Sequence, residues 1–471
     1  MPLLFLAIPL AAVVVLNILY YWMKGKFAVW CAAVVAAAQT LLSAYTLIEC
    51  LKTGAVFTDT RIGQLEIDTL SAMVLLTVGL IGFVSLLITN ASIKKQQHNF
   101  ANLVLILMAG MNGVAIVRDL FTLYVFIEIT SAASFILIGF HRDRDELESA
   151  FKYYIQSTVA TIVMLTATAF LFLFVGDTTF TNAAAAIGQA NTAGVFPYGI
   201  VISLILYTVG FAIKSGSVPF HAWVPDAYSS ASAPVSVLLS GIVTKASGVY
   251  VLMRIFRDIF LSNAAVGNLL TILGLVSILV GAFAAIGQRR MKRMLAFSSV
   301  SQIGYILLGL GTGSPLGFFG AMLHFFNHAS FKSLLFLDAA AVEEQTGLTD
   351  MEEMGGLSEK MPVTGWSSVV AFLSTAGIPP LAGFWSKLFI IIAVWRVSPV
   401  LAVIALLAGV ITLAYLLLIQ KKVFFGKVPE ALAGIREAGA GYVSAELILV
   451  AVNVFVGVAC PFLLGYFQNL L

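Results

Sequence analysis

Apolar residues run along this chain in long blocks, and polar residues collect between them. A bilayer core takes about 20 apolar residues per helix. Fourteen runs of that kind can be read, at approximately 3–22, 27–49, 70–90, 100–118, 119–140, 149–175, 197–228, 231–253, 263–286, 293–311, 315–341, 362–395, 398–420 and 444–468. The connections are short. The longest, near 342–361 and 421–443, hold about twenty residues each, too few for a flavin or nucleotide domain. The segment 52–69 alternates briefly (Val56, Thr58; Leu65, Ile67) around Gly54 and Gly63, which predicts a small external hairpin. The pattern predicts an all-α integral membrane protein with about 14 transmembrane helices.

Composition supports that class. Sixty per cent of the 471 residues are hydrophobic and 10% are charged, where an ordinary soluble domain carries roughly 25% charged residues. A mean hydropathy of +1.00 excludes a soluble core of this length. The formal charge of +3 implies no nucleic-acid partner. Three cysteines (Cys31, Cys50, Cys460) lie far apart with no CxxC pair. That excludes a disulfide scaffold and iron–sulfur ligation by this chain alone. No GxGxxG or GxxxxGK[ST] pattern occurs, so phosphate cradling has no candidate.

Charge also orients the chain. The first run lacks a basic n-region, and Lys24 and Lys26 follow it. A retained helix with its N-terminus outside fits better than a signal peptide. In that orientation the cytoplasmic connections hold 16 basic residues and the outer ones 6. The bias predicts an even number of spans with both termini outside.

Four lysines remain, and each lies inside an apolar run: Lys214 in VGFAIKSGSVPFHAW, Lys245 in LLSGIVTKASGVYVLM, Lys332 in MLHFFNHASFKSLLF and Lys387 in AGIPPLAGFWSKLFIII. Glu128 sits likewise in LFTLYVFIEITSAASFILIGF. A charge at mid-membrane costs at least about 2.5 kcal/mol on insertion scales, so such residues point to function. Small and hydroxyl neighbours such as Ser131, Ser215, Thr244 and Ser386 allow close packing and room for water. One such lysine could be a structural ion pair or a snorkelling side chain; four lysines and a glutamate in separate spans argue for a proton path.

His324, His328 and Lys332 follow one another at i, i+4, i+8. On a helix that makes one stripe with steps of about 6 Å. A proton relay, a structural polar core and a cofactor ligand are the three readings. The stripe lacks the carboxylate or thiolate neighbours a metal wants, because Asp338 lies six positions on and off the stripe. No metal or cofactor is expected.

Two runs are interrupted. KSGSVPFHAWVP places Gly216, Pro219 and Pro225 inside one, and AGIPPLAGFW places Gly377, Pro379, Pro380 and Gly383 inside another. Proline removes a backbone hydrogen bond and breaks the helix. Both breaks lie near a buried lysine. Paired interruptions in two halves point to internal repeats around a midplane ion site. Spans 4–8 and 9–13 are the candidate halves, and an odd number of helices in each makes them inverted. The implied division is 1–99 (three helices and the hairpin), 100–257, 258–425 and 426–471.

At these residues the sequence resembles the antiporter-like subunits of respiratory complex I, the Mrp cation/proton antiporters and the energy-converting hydrogenases. The parts that carry the resemblance are Glu128, KSGSVPFHAWVPDAYSSASAPVSVLLSG, Lys245, QRRMKRMLAFSSVSQIGY, HFFNHASFKSLLF and AGIPPLAGFWSKLF. It covers at least residues 100 to 425. It implies fourteen helices, two inverted five-helix repeats each with a broken helix, and location in a prokaryotic cell membrane. It also implies a relay through Glu128, Lys214, Lys245, His328 or Lys332, and Lys387, to which the stripe adds His324 as a candidate. The chain ends after span 14, unlike the type with a long lateral helix, and Lys387 stands where another type has glutamate. The D-type Mrp protein, the smallest complex I type and the hydrogenase-linked equivalents fit.

A carboxylate 4 Å from an ammonium supplies roughly 4 kcal/mol at an effective dielectric near 20. Pairing Glu128 with Lys214 would hold the lysine charged, and separating them would let it release its proton. The expected function is proton translocation by a non-redox subunit of a redox-driven complex, with other membrane subunits and peripheral redox subunits as partners. The alternative is the D-type component of a multisubunit Na⁺/H⁺ antiporter. An inert scaffold and a haem carrier using His324 or His328 are the remaining classes.

Overall fold

The computed structural model describes residues 1–20, 25–61, 64–194, 197–260 and 263–463. Lys24 and Gly63 lie outside the described residues. The chain folds into helices α1 (Leu4–Ile18), α2 (Gly25–Thr53), α3 (Thr69–Ser92), α4 (Gln97–Ile116), α5 (Leu120–Ile138) and α6 (Arg144–Val175). Then come α7 (Phe180–Ala193), α8 (Tyr198–Ser215), α9 (Trp223–Ser230), α10 (Ala233–Ile259), α11 (Ala264–Ile286) and α12 (Met291–Gly311). The last are α13 (Pro315–Thr346), α14 (Pro362–Ala376), α15 (Ala382–Val397), α16 (Pro399–Phe424) and α17 (Ala440–Leu463). Among the described residues, eleven helices are long and apolar enough to cross a membrane. Helices α1, α14 and α15 are shorter, at 15, 15 and 16 residues.

Local chemistry sets the ends. The Asp68 carboxylate accepts from Ser71 N at 2.9 Å and starts α3, and Asp119 accepts from Thr122 N at 2.7 Å and starts α5. Ser314 followed by Pro315 starts α13 in the same way. Helices α3, α4, α10, α12 and α13 are buried and form the centre. Around them α2, α6, α11, α16 and α17 turn leucine, isoleucine and phenylalanine outward, as at Leu41, Leu173, Phe283, Leu406 and Phe462. That is the surface a lipid solvent requires.

The expected hairpin is present. Strands β1 (Phe57–Asp59) and β2 (Leu65–Ile67) pair antiparallel, with Phe57 opposite Ile67. It sits beside buried Arg118 and Arg254, both of which pair with Asp68. The connection 176–196 is as long as the two longest expected, and it contains α7, a helix the pattern of apolar runs does not single out.

Both interrupted runs are broken helices with matching ends. Helix α8 stops at Gly216 (φ +67°), with Ser217 N bonded back to Ala212 O at 3.1 Å. Helix α14 stops at Gly377 (φ +85°), with Ile378 N bonded back to Leu373 O at 3.0 Å. The left-handed glycine and the six-residue return bond form the same C-terminal motif twice. Each break is braced from outside its own helix. Val218 N donates to Ser277 Oγ of α11 at 3.0 Å, and Trp385 Nε1 donates to Gly457 O of α17 at 2.8 Å.

Candidate functional site

Lys214 is the next-to-last residue of α8, where the approaching break leaves room around it. Its Nζ donates to Ser131 Oγ of α5 and Ser157 Oγ of α6, each at 2.6 Å. Beside it is a cavity of about 10 Å³ lined by Tyr153, Ser157, Trp223, Thr244 and Ser247, the size of one water molecule. Glu128 lies one turn before Ser131 on α5 and makes no ion pair with Lys214 within 4.0 Å. It acts on Lys214 through space, and its buried Oε1 has no hydrogen-bond partner among the described residues. The direct pairing expected from charge is therefore replaced by two hydroxyls.

Lys245 lies on α10, which carries π-helical turns at 239–243, 245–250 and 255–259. Such turns release backbone carbonyls from the regular ladder. The Lys245 ammonium, 0% exposed, donates to one of them, Ser240 O. Gly248, one turn on, packs directly against the end of α8. A Cβ there would lie 2.6 Å from Ser215 N and 2.8 Å from Ser215 Cα.

Helix α13 carries the stripe. The rings of His324 and His328 stack with centroids 6.0 Å apart. His324 Nδ1 contacts Ser386 Oγ at 2.9 Å, while His324 Nε2 and both ring nitrogens of His328 have no partner among the described residues. Lys332 Nζ turns instead toward α12, donating to Ser298 Oγ at 2.6 Å and Leu295 O at 3.2 Å. Ser298 Oγ in turn meets Tyr415 OH at 2.6 Å. Lys387, on α15, reaches back across its break to Thr375 O at 2.7 Å, with Nζ 4.7 Å from the centre of the Tyr305 ring. Tyr305 also lies 6.0 Å from His324. Among the described residues, no group of three or more histidine, cysteine or carboxylate side chains is arranged to hold a metal ion.

Residues 117–412 match the family model described as NADH:quinone oxidoreductase/Mrp antiporter, transmembrane. The chain belongs to that family. It is an antiporter-like, multi-pass integral membrane protein of bacterial or archaeal type, and the matched stretch contains every relay candidate above. Among its relatives, the D-type component of the Na(+)/H(+) antiporter of Alkalihalophilus pseudofirmus is 31% identical over 76% of this chain and 73% of that protein. The N-type component of the NADH-quinone oxidoreductase of Desulforudis audaxviator is 34% identical over 74% of this chain and 70% of that protein. A chain of the membrane-bound sulfane sulfur reductase, an archaeal respiratory membrane complex, superposes with a TM-score of 0.84 at 29% identity, covering 97% of this chain and 76% of that one.

In this antiporter-like subunit the titratable groups stand out in the sequence, but most of their partners do not. Ser157, Tyr415 and the Thr375 carbonyl come from positions that no local pattern marks, and Ser298, Tyr305 and Ser240 lie inside quoted motifs that do not single them out as partners. Gln302, in the stretch QRRMKRMLAFSSVSQIGY, is fully buried on α12, one turn from Ser298 and beside Tyr415. At one end of the bundle, a charged cleft of about 600 Å³ opens over α9. In it Asp226 accepts from Lys152 of α6 at 2.9 Å and from Arg293 of α12 at 2.7 Å.

Proposed function

We propose that this subunit conducts protons at mid-membrane depth along Lys214, Lys245, the His324–His328–Lys332 stripe and Lys387. One observation carries the reading: four buried lysines on four helices, none in an ion pair among the described residues, each held by hydroxyl or carbonyl oxygens. A static charge in such a place is paired with a carboxylate, as Arg254 is with Asp68. The unpartnered nitrogens of the two histidines mark polar positions that water would fill. The charged cleft is the water-filled approach to the Lys214 end.

The residues 100–257 and 258–425 act as two inverted repeats, a division supported by their matching helix breaks. The charge bias of the connections supports both termini outside. Transport is driven by a partner performing redox chemistry, since the chain has no motif for nucleotide or cluster, and the similarity to the quinone oxidoreductase component and to the sulfane sulfur reductase chain supports that setting. The similarity to a D-type antiporter component favours a second reading, exchange of Na⁺ for H⁺ within a multisubunit antiporter.

Purification from native membranes with identification of the co-purifying subunits separates the two. Redox subunits would support the first reading, and a set of small antiporter subunits alone would overturn it. Lys214→Arg is expected to preserve assembly and abolish proton transport, because arginine keeps its charge but does not deprotonate in a protein. Normal transport in that variant would refute the relay.

A further inference from the structure

Away from the lysine line, three carboxylates meet where α13, α14 and α17 come together. Asp338 (α13) and Glu446 (α17) are 0% exposed, and Glu437, in the connection before α17, is half-buried. Hydroxyls link them. Thr364 Oγ1 lies 2.8 Å from Glu437 Oε1 and 3.0 Å from Glu446 Oε1. Ser367 Oγ lies 2.9 Å from Thr364 O and also bonds Asp338 Oδ1. Glu437 is tied down further by Val363 N at 2.7 Å.

Two further facts set this group apart from an ordinary acidic surface. Among the described residues, no lysine, arginine or histidine lies within 4.0 Å of any of the three carboxylates. Glu446 and Glu437 are the charged groups that act on Asp338. In addition, Asp338 Oδ2, completely buried, has no hydrogen-bond partner among the described residues. A buried carboxylate oxygen with neither cation nor donor costs several kcal/mol if charged. A proton on the same oxygen removes the charge, and with it the larger part of that cost. Like charges that act on one another away from water oppose double ionisation.

Position gives the pair a use. Glu437 lies on the face built by the connections around 287–290, 347–361 and 425–439, which are tied together by Arg289–Asp350 and Lys422–Glu352 ion pairs. Asp338 lies eight residues inside the end of α13, about 12 Å along the axis, and Lys332 lies about 9 Å deeper on the same helix. The hydroxyl bridge from water runs from Glu437 through Thr364 Oγ1 to Glu446, while Ser367 meets Thr364 only at its backbone carbonyl and holds Asp338, on the same helix as Lys332.

We propose that Asp338 and Glu446 share one proton and form a loading site that feeds the Lys332 end of the second repeat from the face bearing Glu437. This rests on the relay reading above for its destination, but not for the shared proton. The proton enters as hydronium at Glu437, is held as the carboxylic acid O–H of the pair, and leaves toward Lys332, so charge balances at each step.

The test uses the intact complex, purified with its partner subunits and reconstituted in vesicles. At neutral pH the infrared spectrum should show a protonated-carboxyl C=O stretch that D338N and E446Q each remove. Either variant should lower proton transport by about tenfold or more, and the double variant should lower it no further, because one proton is lost in each case. Absence of the band in the parent protein, or its retention in either variant, overturns the shared proton. Unchanged transport in both variants overturns loading, and loss of the band on adding Na⁺ at constant pH makes the site a cation site instead. Should D338N fail to assemble, T364V removes the bridge while keeping both carboxyls and is expected to give the same transport loss; normal transport in T364V overturns the route. K214R is the control. The band should persist there, so failure of the relay and failure of this site are read separately.

Discussion

Replacing Lys214 by methionine keeps most of the length of the side chain and deletes its charge. Two hydrogen bonds of 2.6 Å are lost, to Ser131 and Ser157. Bonds to charged groups are worth about 1.5–3 kcal/mol each, so the loss is roughly 3–6 kcal/mol. Removing an ammonium from mid-membrane returns at least about 2.5 kcal/mol. Ser131 Oγ keeps its bond to Ile127 O at 2.7 Å, so that hydroxyl is not orphaned. The net cost to the fold is therefore at most about 0.5–3.5 kcal/mol, within the range of ordinary substitutions. If Lys214 is a proton carrier, transport falls by about a hundredfold or more while the subunit still folds and assembles. The assay is proton movement into vesicles holding the reconstituted complex, read with an internal pH dye, beside co-purification of the partners and thermal unfolding in detergent. Methionine complements the arginine variant, because it removes the charge that arginine keeps. Transport within about twofold of the parent, a barrier change of roughly 0.4 kcal/mol, would refute the reasoning. So would loss of assembly without a measurable transport defect in the assembled fraction.

Gly248→Ala places a methyl group 2.6 Å from Ser215 N, so α10 must move away from the end of α8 at a cost of about 1–3 kcal/mol. Transport is expected to drop although no titratable group is touched, and a vesicle assay showing parental rates would count against that packing. Asp226→Asn removes the carboxylate that holds Lys152 of α6 and Arg293 of α12 together. A loss of about 1 kcal/mol is expected in thermal unfolding, shrinking at high salt as exposed ion pairs do; a loss independent of salt would exclude the ion-pair account. His141, in the connection between α5 and α6, is held above the usual histidine range by the Glu146 carboxylate 2.9 Å away, against the opposing effect of burial. Its folded-state affinity for a proton exceeds the unfolded one. The pair's contribution is thus complete below about pH 6.5 and lost as pH rises through the raised value. His141→Gln should flatten that part of the stability profile, about 1 kcal/mol or less for a half-exposed pair; an unchanged pH profile between about pH 6 and 9 would exclude the assignment.

Much of this architecture is legible in the sequence because the bilayer imposes simple length and polarity rules. Each of the fourteen apolar runs corresponds to a helix or to a pair of helices around a break, and the glycine–proline pairs mark both breaks. What periodicity cannot carry is the geometry between remote helices. Nothing local predicts that Lys332 chooses Ser298, 34 residues away, over its neighbours Ser330 and Ser333. The π-turns of α10 are illegible for a related reason. A pattern of 3.6 residues per turn has no place for an extra residue, and the run 239–250 is apolar enough to pass as ordinary helix. Glu446 and Asp338 look like one glutamate near a helix start and one aspartate off the stripe, because only the packing of α17 against α13 and α14 brings them together. Glu128 is expected in contact with Lys214 from charge complementarity alone, whereas backbone placement puts Ser131, one turn later, at the contact.

That last exchange of partners bears on mechanism. A carboxylate can only accept hydrogen bonds, so an ammonium facing it is stabilised in one charge state and penalised in the other. A hydroxyl accepts from an ammonium and donates to a neutral amine, so it satisfies both states by rotating. Lys214 faces two such hydroxyls, and Lys332 faces one that is itself bonded to the Tyr415 hydroxyl. Arg254, by contrast, is clamped by Asp68 and Asp258, and arginine does not release its proton. The molecule thus holds two kinds of buried cation. One kind is fixed by carboxylates at the edge of the bundle and ties the hairpin to α3 and α10. The other kind is held by hydroxyl and carbonyl oxygens with no ion pair among the described residues, and Glu128 is kept out of contact with Lys214. Only the second kind can release a proton, and that is what the proposed conducting line requires and a scaffold does not.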